Sequence, residues 1–218
     1  MNKTYRLLGS DWDGTWTPSE GLKQSAYTLT FSEYSEDVPF EEIEAAKRKF
    51  AGGKGTRYDV FGEIFTRLGF QADKIPVMVA EYAKRYDVVV RNGIVKLGVS
   101  DRDRETLRLL SHKVPHYLIS ITPEQSLIST VSELGVENFF KSVLGAPTTK
   151  VENIKKVATL EKCDPKDVLF VGDGSGDFDA ARKFGCDFIG YATDYNKWVE
   201  TGQPFPLITD LRKLLDYF

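Results

Sequence analysis

The chain has 218 residues, 41% hydrophobic and 28% charged, with a formal net charge of −3. That length buries a substantial core, while the charge balance gives none of the basic footprint of a nucleic-acid binder. No apolar run approaches the ~18 residues that cross a bilayer, and the opening Met1-Asn2-Lys3-Thr4-Tyr5-Arg6 lacks the pattern of a secretory leader. Cys163 and Cys186 stand far apart without metal-ligand spacing. The expectation is a cytoplasmic protein with two reduced thiols and neither a membrane nor a nucleic-acid partner. Nothing in the chain speaks to its oligomeric state.

In chain order, residues 5–10 read as a buried strand. From about residue 18 to 95 the pattern turns helical and charged. Residues 40–50 carry Ile43, Ala46, Lys47 and Phe50 at helical spacing, residues 58–68 carry Phe61, Ile64, Phe65 and Leu68, and 75–89 continues in kind. Arg91-Asn92-Gly93 reads as a turn. Helices and strands then alternate: helix 102–112, strand 116–121, helix 124–134, strand 142–144, helix 151–160, strand 168–171, helix 178–184 and strand 187–189. This alternation predicts an α/β fold, a doubly wound parallel sheet with helices on both faces. The predicted division is a core of 1–17 and 96–218 interrupted by a helical insert at 18–95. Trp198 and a helix over 207–218 are expected to pack on the sheet.

The chemistry-bearing residues fall at strand ends. Asp11 and Asp13, in Asp11-Trp12-Asp13-Gly14-Thr15, follow the first strand. Two carboxylates on alternate residues raise each other's proton affinity unless a cation or a reaction uses them. Ser120 ends the second strand, Lys150 enters a helix after the third, and Gly172-Asp173-Gly174-Ser175-Gly176-Asp177 follows the fourth. In an open parallel sheet, ligands collect at the carboxyl ends of the strands. The bland readings are turns and caps. Thr149 with Glu152 makes a capping box beside Lys150, and Lys155 and Lys156 compete with it as the functional lysine. Thr122-Pro123-Glu124-Gln125 reads as an N-cap followed by a proline at the first helical position, which gives Thr122 a structural task and leaves Ser120 as the functional hydroxyl. The glycines after the fourth strand fail the dinucleotide fingerprint, because Asp177 stands where the third glycine belongs.

Four such motifs in this order resemble the haloacid dehalogenase superfamily, whose phosphatases carry an Asp-x-Asp-Gly-Thr loop, a strand-ending Ser or Thr, a Lys and a Gly-Asp-x-x-x-Asp loop. The resemblance covers the whole chain and implies a Rossmann-like core with an α-helical cap of the C1 type, as in its phosphoglycolate-phosphatase-like and β-phosphoglucomutase-like branches. It implies Asp11 as the nucleophile that forms an aspartyl-phosphate and Asp13 as general acid and then base. Ser120 and Lys150 would contact the transferring phosphoryl group. Asp11, Asp173 and Asp177, with the main-chain carbonyl of Asp13, would hold Mg²⁺, which an all-oxygen donor set without a His or Cys cluster favours over zinc. The second aspartate favours phosphate esters over carbon–halogen bonds.

The expected activity is therefore Mg²⁺-dependent hydrolysis of a small phosphorylated metabolite. A phosphomutase of the β-phosphoglucomutase type and a non-catalytic phosphate-binding regulator remain as alternatives. Substrate choice is expected to lie in the insert, where Lys54 and Arg57 flank an N-cap at Thr56 in the glycine-rich loop of residues 51–57. Trp12, Trp16, Tyr27, Phe31 and Tyr34 are either substrate-facing or core. His112 and His116 receive no role.

Overall fold

A computed structural model describes residues 4–33, 37–50 and 55–218. The chain forms two compact units, one of Met1–Glu20 with Ile94–Phe218 and one of Gly21–Gly93. The first opens with β1 (Leu7–Ser10). The chain then runs through α1 (Glu20–Glu33), α2 (Phe40–Lys49), α3 (Arg57–Arg67) and α4 (Ile75–Leu97). The remainder alternates: α5 (Asp101–Lys113), β2 (His116–Pro123), α6 (Glu124–Glu133), β3 (Ser142–Ala146), α7 (Lys150–Leu160), β4 (Val168–Gly172), α8 (Ser175–Phe184), β5 (Asp187–Tyr191), α9 (Trp198–Thr201) and β6 (Leu207–Ile208). A 3₁₀ segment, Leu211–Tyr217, closes the chain.

Among the described residues the six strands form one parallel sheet, in the order β3-β2-β1-β4-β5-β6. Every residue of β1 and β4 is buried, as expected for central strands covered on both faces. The order reverses between β1 and β4, so the carboxyl ends of these two strands flank the crevice in which such sheets bind ligands. Helix starts follow local chemistry. Ser100 Oγ accepts the Asp103 N–H at 3.1 Å to open α5. Thr149 and Glu152 form the predicted capping box of α7, with Glu152 Oε2 accepting the Thr149 N–H at 3.0 Å.

The helical unit carries an apolar core of its own, built from Phe31, Ile43, Phe61, Ile64, Phe65 and Tyr82 among others. Phe31 and Phe65 each lie 4.9 Å, centroid to centroid, from Tyr82. Phe31 therefore belongs to packing, as do Trp12 and Trp16 in the other unit, each 1% exposed. Tyr27 is half-buried and packs against Phe61 and Tyr86, and Tyr34 lies outside the described residues.

Two expectations are corrected. Arg91-Asn92-Gly93 is no turn: it lies inside α4. A Cβ at Gly93 would meet Leu22 Cδ2 at 2.6 Å, so this glycine permits close packing rather than chain reversal. The helix expected over 207–218 is instead β6 followed by the 3₁₀ segment. Backbone pairing draws the chain into the sheet there, with Gly190 N–H bonded to Pro206 O at 2.9 Å and Ala192 N–H to Ile208 O at 2.8 Å. Trp198 is buried in the core beneath the sheet's helices, as expected. No helix among the described residues is long and apolar enough to cross a membrane.

Candidate active site

The loop after β1 is held before any side chain acts. Asp11 N–H continues the ladder to Val171 O at 3.0 Å, Trp16 N–H closes a turn onto Trp12 O at 3.0 Å, and Gly14 N–H reaches Thr17 O at 2.8 Å. Gly14 has φ +78°, a conformation that only glycine adopts without strain. A Cβ there would also lie 2.0 Å from Asp173 Oδ2. Glycine at this position thus serves both the turn and the close approach of the carboxylate from the end of β4.

Asp11, Asp173 and Asp177 each offer a carboxylate oxygen, all within 4.8 Å of one another, and all three residues are buried. Asp173 accepts the Thr15 hydroxyl at 3.2 Å on Oδ1, and its main-chain carbonyl accepts Asn196 Nδ2 at 3.0 Å. Asp177 sits in the first turn of α8, where its Oδ2 accepts the Gly174 N–H at 3.0 Å. Lys150, the first residue of α7, is buried between carboxylates. Its Nζ donates to Asp177 Oδ1 and lies 2.9 Å from Asp11 Oδ1. That second contact is an ion pair off hydrogen-bond alignment, because Asp11 Oδ1 is buried without a hydrogen-bond partner.

The electrostatics follow from this crowding. Burial, then the neighbouring Asp11 and Asp177, push the Asp173 carboxyl up to about 8. Burial and Asp11 push Asp177 up to about 6 against the pull of Lys150. For Lys150 burial favours the neutral amine, but Asp11 and Asp177 outweigh it and hold the ammonium above its ordinary value. Three buried carboxylates facing one ammonium leave net negative charge in a poorly solvated place. A divalent cation would offset it. The donor set is all oxygen, which suits a hard ion.

Asp13 is held differently. Its Oδ1 accepts the Ser19 hydroxyl at 2.7 Å and its Oδ2 accepts the Thr122 hydroxyl at 2.9 Å. Its carboxylate lies outside the three-carboxylate cluster. The expected N-cap role of Thr122 is corrected here. Helix α6 begins after Pro123 with no side-chain cap bond, and the Thr122 hydroxyl is turned to Asp13. Ser120 is buried within β2, just past its last regular pair with β3 at Ile119, its Oγ accepting the Thr122 N–H at 3.2 Å. Lys155 and Lys156 are exposed on α7, whereas Lys150 is 8% exposed.

Beneath the loop lies a polar chain that sequence reading left out. Trp16 Nε1 donates to Ser10 Oγ at 2.9 Å, and Ser10 Oγ lies 2.9 Å from His116 Nε2. Burial pushes the His116 imidazole down to about 3, so it is neutral.

Asp11, Asp13, Ser120, Lys150, Asp173 and Asp177 thus all belong to one unit, just after β1 and β4, within the carboxyl-terminal half of β2 and at the start of α7. Of the two residues expected to select substrate, Lys54 lies outside the described residues. Arg57 pairs with Asp87 and stacks 5.7 Å from the Tyr86 ring centroid, so its charge is already matched.

This fold and acidic cluster define a known class: the chain belongs to the haloacid dehalogenase-like hydrolase family, whose model matches residues 11–191. Among individual proteins, it is 31% identical over 120 residues to the phosphoglycolate phosphatase of Pseudomonas putida KT2440, a match spanning 51% of this chain and 44% of that protein. It is 25% identical over 231 residues to the phosphoglycolate phosphatase of Haemophilus influenzae KW20, covering 99% of each. The chain spans about half the length of several curated relatives it matches. The solved structure of magnesium-bound YfnB from Bacillus subtilis aligns with a TM-score of 0.72 over 98% of both chains at 19% identity. The haloacid dehalogenase-like protein SP0104 of Streptococcus pneumoniae aligns at 0.69 over 98% of both at 18% identity.

Proposed function

We propose that this protein is a Mg²⁺-dependent phosphomonoesterase that hydrolyses a small phosphorylated metabolite through an aspartyl-phosphate on Asp11. The observation that carries the reading is the buried set of Asp11, Asp173 and Asp177 around Lys150, with a separately held Asp13 on the same loop. Asp11, Asp173 and Asp177 would hold Mg²⁺, which when bound supplies positive charge against the incoming phosphate dianion.

The residues divide the work. An Asp11 carboxylate oxygen attacks phosphorus, the ester P–O bond breaks, and Asp13 gives its proton to the leaving oxygen. Water then attacks the phosphorus of the aspartyl-phosphate, Asp13 takes a proton from it, and the acyl P–O bond breaks to release inorganic phosphate. Lys150 holds Asp11 in place by its 2.9 Å ion pair and offers positive charge to the transferring group. Ser120 would donate its hydroxyl to a phosphoryl oxygen. A pure phosphate binder gains nothing from an acidic cluster that repels its ligand, which favours chemistry over regulation.

Phosphate release from p-nitrophenyl phosphate and from phosphoglycolate, the ester in the relatives' names, with Mg²⁺ and with excess chelator, tests the reading. The wild type should turn over with Mg²⁺ only, and Asp11→Asn should abolish turnover with an unchanged circular dichroism spectrum. Metal-dependent turnover by the variant refutes the nucleophile. Absence of turnover across a panel of phosphorylated sugars, nucleotides and short acids, with metal binding intact, refutes the enzyme.

A further inference from the structure

We propose that Thr122 is a positioning residue that fixes the Asp13 carboxylate for proton delivery, an inference that rests on the phosphatase reading above. The Thr122 hydroxyl donates to Asp13 Oδ2 at 2.9 Å while the Ser19 hydroxyl donates to Oδ1 at 2.7 Å. One such bond would leave the carboxylate free to pivot about the bonded oxygen. Two donors on different oxygens, one six residues along the same loop and one from β2, fix both the direction of the side chain and the rotation of the carboxylate plane. Asp13 is 4% exposed, so solvent offers little competition for these bonds.

The backbone at Thr122 is built for this contact. Strand β2 pairs with β3 in regular register up to Ile119 opposite Leu144, and pairing resumes only at Pro123 opposite Ala146. Four steps along β2 therefore match two along β3. Such bulges bend a strand and re-aim its side chains. The Thr122 N–H leaves the ladder for Ser120 Oγ at 3.2 Å. Opposite the bulge stands Gly145, where a Cβ would lie 2.4 Å from Thr122 O and 2.7 Å from the Glu124 N. The Gly145 N–H is in turn accepted by Glu124 Oε2 at 3.1 Å. The hydroxyl has no helix to cap, since α6 starts after Pro123 without a side-chain bond. Asp13 is the partner to which this irregularity turns it.

The readout is the leaving group. An alkoxide leaves only when protonated, whereas p-nitrophenolate leaves unaided, so a misplaced general acid penalises alkyl esters selectively. The quantity to compare is kcat/KM, which covers the steps up to ester cleavage. Thr122→Val should lower kcat/KM for an alkyl phosphate such as glycerol phosphate by about tenfold to a hundredfold, the scale on which small misplacements act. Its effect on p-nitrophenyl phosphate should stay within about threefold, and Thr122→Ser, which keeps the donor, should restore the alkyl ester to within about threefold of wild type. Thr122→Ala replaces the valine variant if the latter fails to fold. Equal losses on both esters, no loss on either, or failure of the serine variant to rescue overturns the inference alone. If glycerol phosphate is not turned over, the alkyl ester is taken from the panel of phosphorylated sugars, nucleotides and short acids, and a wild type inactive across that whole panel overturns the phosphatase reading and this inference with it.

Discussion

His116 makes the metal-free core acid-sensitive in a way that a single substitution isolates. It is 1% exposed, and its Nδ1 is buried without a hydrogen-bond partner. Burial lowers its folded value to about 3, against 6.5 for the free side chain. Between those values the unfolded chain binds the proton and the folded chain does not, so stability is fully present above pH 6.5 and is lost as the pH falls toward 3. Between pH 7 and pH 5 the loss is about 2 kcal/mol. All three tryptophans, Trp12, Trp16 and Trp198, belong to the unit that contains His116. Urea unfolding followed by tryptophan fluorescence, in chelator, therefore reports that unit. His116→Gln keeps a polar group beside Ser10 but cannot titrate. Wild type should lose about 2 kcal/mol more than the variant between pH 7 and pH 5. Equal losses in the two proteins would refute the buried neutral imidazole.

Gly14→Ala places a Cβ against Asp173 and strains the loop, so the rise in Tm that Mg²⁺ is expected to give the wild type should disappear from a thermal melt; an equal rise in both proteins refutes the packing argument. Lys150→Met removes the ammonium that pairs with Asp11 and Asp177, and breaking one side of a buried pair costs about 3–5 kcal/mol. That loss should appear in urea unfolding without metal and shrink when Mg²⁺ is added; a variant as stable as wild type in chelator contradicts it.

The sheet was legible because its central strands, Leu7–Ser10 and Val168–Gly172, are short, mostly apolar runs, and the acidic residues of the site follow such a run or stand in the first turn of the helix beyond. The capping box at Thr149 was equally plain, since both of its partners are local. What stayed hidden was set by contacts distant in the chain. Gly93 is a turn residue by type, yet it lies inside α4, where the methyls of Leu22 pack too close for a Cβ. Strand β6 has two residues, too few for any periodicity, and exists because β5 offers it backbone groups. Thr122 reads as a cap from its neighbours Pro123 and Glu124, but a bulge opposite Gly145 turns its hydroxyl to a residue 109 positions away. The pairing of Arg57 with Asp87 likewise has no local signature.

The ladder order has a consequence for how the chain is made. Strand β1 lies between β2 and β4, so while the ribosome has delivered residues only as far as β3, one side of β1 has no neighbour from its own sheet. A long-lived open edge of that kind invites pairing with other chains. The same late segment brings Asp173 and Asp177, which means that one stretch of nascent polypeptide both seals the edge and completes the three-carboxylate cluster proposed to hold the cation. Truncation ahead of residue 168 should leave a fragment that aggregates and that added magnesium does not rescue.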